Sequence, residues 1–240
     1  MKRIGTYEIE SLAQKFRVER LEVNATEPIH VKAAIRKLNI MAVYRPLSDA
    51  SCGLSVKTKN GKSRFMLINS NMTRGRQHFT IAHEFFHLFY DEHPVSHLCD
   101  GKMGRKDVSE ANADAFASAL LMPKEGILKR LSPEEIVTKR LSLAKVIRIE
   151  QYYGVSRSSL LYRLKALKII SDTAFEALKA VPVKESVRQL GVDQALYEKG
   201  NELLVISDFG EKAKQLLDED KISEGHYNEL INMISNGLCS

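Results

Sequence analysis

Two histidines and a glutamate stand close together in an apolar stretch near the middle of the chain, in the pattern His83-Glu84-x-x-His87. On an α-helix, residues four positions apart lie above one another on one face. Both imidazoles can therefore bind a single metal ion while the glutamate lies beside them. This spacing is typical of zinc hydrolases, in which the glutamate acts as the base. We predict a metal site with His83 and His87 as ligands and Glu84 as the catalytic residue.

A helix over residues 76–90 must position these side chains. On a helical wheel, Ile81 and Phe85 fall on the side opposite His83, so that side should face a hydrophobic core. The pattern can also arise by chance, and paired histidines on an apolar helix can be ordinary core residues. However, the charge of Glu84 would be costly to bury unless a metal ion or a water bound to it offset the cost. We therefore favour the metal site.

Two segments ahead of this helix predict a β-hairpin. Residues 54–58 alternate between apolar and polar side chains, residues 63–69 are rich in apolar side chains, and Asn60-Gly61 between them is a favoured hairpin turn. We therefore expect a small antiparallel sheet before the helix. The edge of such a sheet can bind an extended peptide by strand addition, which would suit a peptidase; a sheet that only covers the core is the alternative.

Two candidates for a third ligand follow the helix. His93 lies six residues after His87, as in the longer metzincin pattern, but that pattern has a glycine where this chain has Tyr90. Glu110 lies at the start of an alanine-rich segment, residues 109–123, which predicts a second helix ended by a proline. We favour Glu110, and His93 is the runner-up.

The second helix has further features that suit a metal site. Its small residues Ala113 and Ala117 would let it approach the first helix closely enough for a short glutamate to reach zinc at about 2.0–2.2 Å. Asp114, one turn after Glu110, can accept the remaining N–H of a histidine that binds zinc. The alternative for Glu110 is a solvated glutamate that is favoured in a first turn by the helix dipole.

Together the two motifs resemble the ImmA/IrrE family of zinc metallopeptidases. The motifs are Arg76-Gln-His-Phe-Thr-Ile-Ala-His-Glu-Phe-Phe-His-Leu and Glu110-x-x-Ala-Asp-x-Phe-Ala, followed by Leu120-Leu-Met-Pro. The resemblance covers roughly residues 9–167. It implies that the zinc ligands are His83, His87 and Glu110 and that the catalytic residue is Glu84. One departure is Phe85-Phe86, where a small or glycine-containing pair is commoner.

The same resemblance implies a substrate. Members of the family are typically encoded by bacteria, phages and mobile elements, and they act by cleaving or inactivating a helix-turn-helix repressor. The expected cofactor is Zn²⁺, and the expected partner is a protein of that kind.

Residues 131–170 predict a basic helical unit. Residues 147–153, a turn at Gly154 and residues 158–167 have the outline of a helix-turn-helix, and the chain's positive excess lies here. Such a surface could contact DNA phosphates. However, Glu150 stands where DNA-binding versions usually need a small residue. We therefore do not favour direct binding of nucleic acid; docking of a repressor is equally compatible with this unit.

The composition excludes several other classes of protein. The chain has 240 residues, of which 44% are hydrophobic and 28% charged, and a net charge of +6. It has no apolar stretch long enough to span a bilayer and no secretory signal, so we expect a cytoplasmic protein without membrane contact. The three cysteines are widely spaced, which favours reduced thiols over disulfides or a cysteine zinc site.

These observations predict an α+β fold, in which a small antiparallel sheet packs on a zincin-like helical core and an all-α C-terminal region follows. We expect a zinc metallopeptidase domain at residues 1–130, a helix-turn-helix-like basic unit at 131–170 and a C-terminal helical region at 171–240. The predicted function is a zinc-dependent endopeptidase that cleaves a partner repressor and relieves repression. The alternative is a metal-stabilised binding module that sequesters a repressor or toxin, or contacts DNA, without useful proteolysis.

Overall fold

The computed structural model describes residues 2–49, 51–91, 97–99 and 107–235; of residues 97–99, 234 and 235 it describes the backbone alone. The strands in this part of the chain are β1 Ile40–Arg45, β2 Gly53–Lys57, β3 Arg64–Asn69, β4 His97–Cys99 and β5 Val205–Ile206. The α-helices are α1 Thr6–Lys15, α2 Val31–Lys37, α3 Arg74–Tyr90, α4 Val108–Leu121, α5 Lys124–Leu128, α6 Pro133–Thr138, α7 Leu143–Tyr153, α8 Arg157–Ala166, α9 Asp172–Ala180, α10 Val183–Gln189, α11 Phe209–Asp218 and α12 Glu224–Ser235. A π-helical turn, Phe16–Arg20, continues α1, and a 3₁₀ turn, Ala195–Tyr197, follows α10. The architecture is α+β, as predicted.

Within the described residues, the strands form one mixed sheet in the order β4-β2-β3-β1-β5. β2 and β3 are antiparallel, from Lys57 opposite Arg64 at the turn to Gly53 opposite Ile68, and Gly61 has the positive φ of +66° that the turn requires. The predicted hairpin is therefore confirmed. The prediction of a small antiparallel sheet holds for β2 and β3 but not for β1, which runs parallel to β3 and makes the sheet mixed. β2, which follows β1 in the sequence, lies two places away from it in the sheet, and β3 then takes the place between them.

The C-terminal region also contributes to the sheet. β5 pairs antiparallel with β1, Ala42 opposite Ile206 and Val43 opposite Val205. The prediction of an all-α C-terminal region is therefore wrong at these residues. The physical reason is tertiary, because the backbone groups on this side of β1 need hydrogen-bond partners and a two-residue apolar run is enough to supply them.

The other edge of the hairpin is occupied as well. β4 pairs antiparallel with β2 over Gly53 to Ser55. The edge of β2 that we expected to receive an extended peptide is therefore already paired along these residues. Strand addition at this end of the sheet would have to take place on β4.

α3 and α4 pack closely against each other and against the sheet. Ile81 and Phe85 on α3 are buried, as the helical wheel predicts, and Ala113 and Ala117 on α4 are fully buried. Phe16, from the π-helical turn, packs between the two helices, because its ring centroid lies 5.8 Å from that of Phe85 and 5.5 Å from that of Phe116 on α4. The predicted close approach of the two helices is confirmed.

Side chains hold both ends of α4, and those at its C-terminal end come from distant parts of the chain. Asp107 caps its N-terminus by accepting a hydrogen bond from the Ser109 backbone N–H at 2.8 Å. At the other end, the buried guanidinium of Arg17 donates to the Leu120 carbonyl at 2.5 Å, and Arg163 donates to the Met122 carbonyl at 3.0 Å. Cations at this end also complement the helix dipole.

The helix-turn-helix outline is confirmed in α7 and α8. Gly154 ends α7 with a φ of +64°, and the Ser156 side chain caps α8 by accepting from the Ser159 N–H. The turn packs directly on the start of α3, since a Cβ atom on Gly75 would lie 2.8 Å from the Ser156 backbone nitrogen.

One cluster of buried apolar side chains contains residues from all three predicted segments, among them Phe85, Leu161 and Phe175. The helices α7, α8 and α9 therefore pack on the same core as the helix that carries the two histidines. Among the helices described, none is long and apolar enough to cross a bilayer.

Candidate metal centre

α3 presents His83 and His87 side by side in its third and fourth turns. Both imidazoles are buried, with 1% and 3% of their surface exposed, and their Nε2 atoms lie 3.1 Å apart. The i, i+4 spacing on a helix brings the two rings together, as the sequence motif predicts. At this separation, either one nitrogen donates a hydrogen bond to the other or both bind a third atom such as a metal ion.

Glu110, in the first turn of α4, completes the group. Its Oε2 lies 3.4 Å from His83 Nε2 and its Oε1 lies 3.3 Å from His87 Nε2. Three ligand atoms of a tetrahedral zinc ion, each about 2.0–2.2 Å from the metal, would be about 3.3–3.6 Å apart. A different oxygen of Glu110 lies at such a distance from each nitrogen. One ligand atom from each of the three residues lies within 4.8 Å of the other two, so the three residues could hold one metal ion. Three protein ligands are also the usual number in a catalytic zinc site, where a fourth position is kept for water or substrate.

Carboxylates hold the other nitrogen of each imidazole. Asp114 Oδ1 lies 2.8 Å from His83 Nδ1, as predicted, and Asp91 Oδ2 lies 2.6 Å from His87 Nδ1. Because a carboxylate accepts hydrogen bonds, each Nδ1 carries the proton and each Nε2 presents a lone pair. This is the tautomer in which Nε2 can bind a metal.

Asp91 is a functional residue that the sequence analysis missed. It directly follows α3 and is fixed in turn by Ser109, whose hydroxyl donates to Asp91 Oδ2 at 2.9 Å. A signal was available, because Asp91 stands four residues after His87 and can therefore share its face of the helix. The same spacing argument had already identified Asp114, which stands one turn after Glu110.

The surroundings keep His87 uncharged at neutral pH. Burial, and then the neighbouring His83, lower the pKa of His87 from its ordinary 6.5; the hydrogen bond to Asp91 and the charge of Glu84 oppose that shift. The neutral imidazole is the form that binds metal ions.

Glu84 is fully buried next to these residues, and its two oxygen atoms differ. Oε2 accepts a hydrogen bond from the Ser55 hydroxyl at 2.5 Å. Oε1 has no hydrogen-bond partner among the residues that the structure describes. A buried carboxylate oxygen without a partner is costly, so its environment suits a water or substrate group that donates a proton to it. This orphaned oxygen, together with the ligand spacing, shows that the residues present fit a hydrolytic zinc site.

Other candidates from the sequence fall elsewhere. His93, the alternative third ligand, lies outside the described residues. Tyr153 and His78 carry groups that can stabilise a reaction oxyanion, but both interact with backbone carbonyls: the Tyr153 hydroxyl with Thr26 at 3.3 Å and His78 Nδ1 with Gly154 at 2.8 Å.

The basic helix α8 directs its arginines inward. Arg157 pairs with Glu150, which is fully buried, and Arg163 pairs with Glu10 at 2.5 Å. Glu150 therefore has a structural partner, and these two arginines do not form an outward surface for phosphates. That this unit does not bind nucleic acid directly stays a prediction.

Comparison with known proteins agrees with this geometry. The sequence model of the Peptidase_M78 family, described as the IrrE N-terminal-like domain, matches residues 35–165, which is more than half of the chain. No curated protein matches the chain. The matched region includes both helices of the metal centre and confirms the resemblance to ImmA/IrrE proteins. The chain therefore belongs to the Peptidase_M78 family, a family of metal-dependent peptidases.

Proposed function

We propose that this protein is a zinc-dependent endopeptidase that cleaves a partner protein, and that the partner is a helix-turn-helix transcriptional repressor. The observation that carries the proposal is the convergence of His83, His87 and Glu110 within 3.1–3.4 Å of one another beside the buried Glu84. A purely structural metal site would have no need for a buried base with an oxygen left without a partner.

His83, His87 and Glu110 would hold the zinc ion. When bound, zinc supplies Lewis acidity, which polarises a carbonyl group and lowers the pKa of water to about 7. Asp114 and Asp91 hold the imidazole rings in the tautomer and orientation that binding requires.

Glu84 would move the proton in the reaction. Its Oε1 takes a proton from the attacking water as the water oxygen bonds to the scissile carbonyl carbon. Glu84 then returns that proton to the leaving nitrogen as the carbon–nitrogen bond breaks. The burial of Glu84 keeps bulk solvent away from this transfer.

The substrate proposal rests on membership of the family, since relatives of the ImmA/IrrE type act on helix-turn-helix repressors. Relief of repression by cleavage, and a cytoplasmic setting, belong to the same proposal. The structure adds that β2 is paired by β4 over residues 53–55, so that an extended substrate would lie beyond that strand rather than directly on β2.

The ligand assignment can be tested by elemental analysis of the purified wild type beside His83→Ala, Glu84→Gln and Glu110→Ala. We expect about one zinc ion per chain in the wild type and in Glu84→Gln. We expect its loss in the other two variants. Retention of zinc by Glu110→Ala would place the third ligand elsewhere, and His93 would be examined next.

The catalytic assignment needs a separate experiment, because a metal-stabilised binding module would also contain zinc. The wild type and Glu84→Gln are each produced in cells with candidate repressors, and the repressors are followed by mass and by reporter expression. We expect repressor fragments and derepression with the wild type only. Derepression by Glu84→Gln without cleavage would instead support sequestration.

A further inference from the structure

One face of strand β2 packs along α3, the helix that carries His83 and His87, for several turns. Gly53, Ser55 and Lys57 alternate along the strand, so they point to the same side of the sheet, which here is the side of α3. Each of the three contacts a different part of that helix. The strand therefore has a fixed register relative to the residues of the metal centre.

Gly53 and Lys57, the first and last of these three residues, determine how closely β2 and α3 approach each other. A Cβ atom on Gly53 would lie 2.7 Å from Thr80 Cγ2, so only glycine permits this separation. At the other end, Lys57 Nζ donates to the carbonyls of His87 and Leu88, each at 3.3 Å, and also to that of Asp91. These carbonyls lie at the C-terminal end of α3, where a cation is favoured by the helix dipole.

Ser55 lies between these two anchors and reaches Glu84. It is 2% exposed, and its hydroxyl donates to Glu84 Oε2 at 2.5 Å. A serine side chain is short, so this bond depends on the close approach that Gly53 allows. A shift of the strand by one residue would turn Ser55 to the opposite face of the sheet.

The bond distinguishes the two oxygens of Glu84. The terminal torsion of a glutamate has a broad energy profile, so an unrestrained carboxylate rotates freely. With Oε2 held by Ser55, Oε1 is the oxygen that has no hydrogen-bond partner among the described residues and can accept a proton. Glu84 directly follows His83 on α3 and stands three residues before His87, so its side chain neighbours that of His87 on the helix surface.

We infer that Ser55 is a positioning residue for Glu84, which fixes the orientation of its carboxylate and so determines which oxygen can exchange a proton at the metal centre. The inference rests on the proposed function. It adds a residue of the sheet, 29 positions earlier in the sequence, to a site otherwise composed of residues on and around two helices.

A hydroxamate can test this without a known substrate. A hydroxamate chelates zinc through its two oxygens and keeps a proton that a neighbouring carboxylate can bind, so its affinity reports on the orientation of Glu84. Acetohydroxamate is titrated into the zinc-loaded full chain by calorimetry for the wild type and Ser55→Ala. We expect affinity to fall about tenfold in Ser55→Ala, as for a lost hydrogen bond to a charged group, with zinc content unchanged.

Further variants separate positioning from general stability. Ser55→Thr keeps the hydroxyl and should restore most of the affinity. In the Glu84→Ala background, Ser55→Ala should change the affinity less than twofold, because residues that act through each other are not additive. Ser186→Ala is the matched control, since Ser186 is also buried and donates to the Val183 carbonyl at 2.8 Å, but is far from this site in the sequence and contacts Arg157 instead. It should leave the hydroxamate affinity unchanged even if the protein becomes less stable.

The possible failures are distinguishable. If the wild type binds zinc and acetohydroxamate and Ser55→Ala binds both equally well, the inference is wrong while the proposed function stands. An equal loss from Ser55→Ala in the Glu84→Ala background would also overturn the inference, because Ser55 would then act independently of Glu84. A wild-type chain that takes up no zinc would overturn both.

Discussion

Among the residues that the structure describes, two glutamates are fully buried, one in the metal centre and one between α7 and α8, and they are held in different ways. Both oxygens of Glu150 have partners: Arg157 donates to Oε1, and the Tyr197 hydroxyl donates to Oε2 at 2.7 Å. Glu84 has the Ser55 hydroxyl on one oxygen and, within the described residues, no partner on the other. Of the two, Glu150 alone is paired with a cation in the part of the chain that the structure describes.

This difference distinguishes a buried carboxylate that stabilises the fold from one that is suited to take part in a reaction. A buried carboxylate with a cation and a hydroxyl joins the elements that supply them, and the cluster around Glu150 joins α7, α8 and the 3₁₀ turn after α10. A buried carboxylate with one unsatisfied oxygen is costly to the folded state, and such a cost is usually retained where function requires it. The comparison predicts opposite effects of mutation at the two positions.

The largest expected effect is on catalysis. Glu84→Gln removes the base but keeps the shape of the side chain, so peptide hydrolysis should fall by about 10²–10⁴-fold. The free energy of unfolding of the zinc-free protein should not fall, because a buried charge with an unsatisfied oxygen is replaced by a neutral amide. Product formation from a peptide library and urea unfolding measure the two quantities. A clear loss of stability would mean that Glu84, like Glu150, is structural.

Glu150→Ala should have the opposite profile. It leaves the Arg157 guanidinium buried without its carboxylate, and breaking a buried ion pair in this way typically costs about 3–5 kcal/mol. Urea unfolding should show this loss, while the zinc content of the folded fraction stays at the wild-type value. The double variant Glu150→Ala with Arg157→Met, which removes both charges, should be more stable than Glu150→Ala. If it is not, the ion pair does not explain the burial of Glu150.

A smaller effect is expected for the carboxylates behind the histidines. Asp91→Ala should weaken zinc binding by about 10–100-fold, the usual result of removing such a hydrogen bond. Asp114→Ala should have a weaker effect, because the Asp114 side chain is 22% exposed and that of Asp91 is 8% exposed. Competition with a chromophoric chelator gives both affinities. An equal or reversed order would show that burial does not set their contribution.

The smallest expected effect concerns His78, which joins the two regions by its hydrogen bond to Gly154. Burial lowers its pKa below the ordinary 6.5, with a contribution in the same direction from Lys32 and Arg74, and the bond to Gly154 opposes the shift. Below pH 6.5 the unfolded chain therefore binds a proton that the folded chain does not, so stability decreases as pH falls through this range. The contribution of His78 to stability is fully present above pH 6.5.

The variant His78→Asn can donate to the same carbonyl but does not titrate. Urea unfolding between pH 7.5 and 5.5 should show a weaker loss of stability with acidification than in the wild type. An identical pH dependence in the two proteins would mean that His78 is protonated equally in both states.

The sequence was most informative where function depends on local spacing. His83, Glu84 and His87 lie within two turns of one helix, and Glu110 and Asp114 within two turns of another, so helical periodicity alone brings each group together. The pairing of the two helices was suggested by the small residues Ala113 and Ala117. These local patterns also identified the hairpin and the turn between α7 and α8.

The missed features depend on contacts between elements. Ser55 reaches Glu84 only because of the register and close approach of a strand, and neither is visible in a local pattern. β5 is two residues long, too short for any periodicity, and becomes a strand through β1. Glu150 was interpreted as an obstacle to DNA binding, whereas its role follows from Arg157 and from Tyr197, which is 47 positions away in the sequence.

The attachment of the C-terminal region to α3 has a consequence for the order of folding. Gln77, in the first turn of α3, donates to the Gly200 carbonyl at 2.9 Å and accepts from the Asn201 side chain at 2.8 Å. These two contacts span 123 and 124 positions of the sequence. Contacts of such long range form slowly, because the intervening chain must first be brought together. During synthesis, the helix with the two histidines emerges from the ribosome well before the segment that secures its beginning. The nascent chain would therefore gain full support for the beginning of α3 only late in translation.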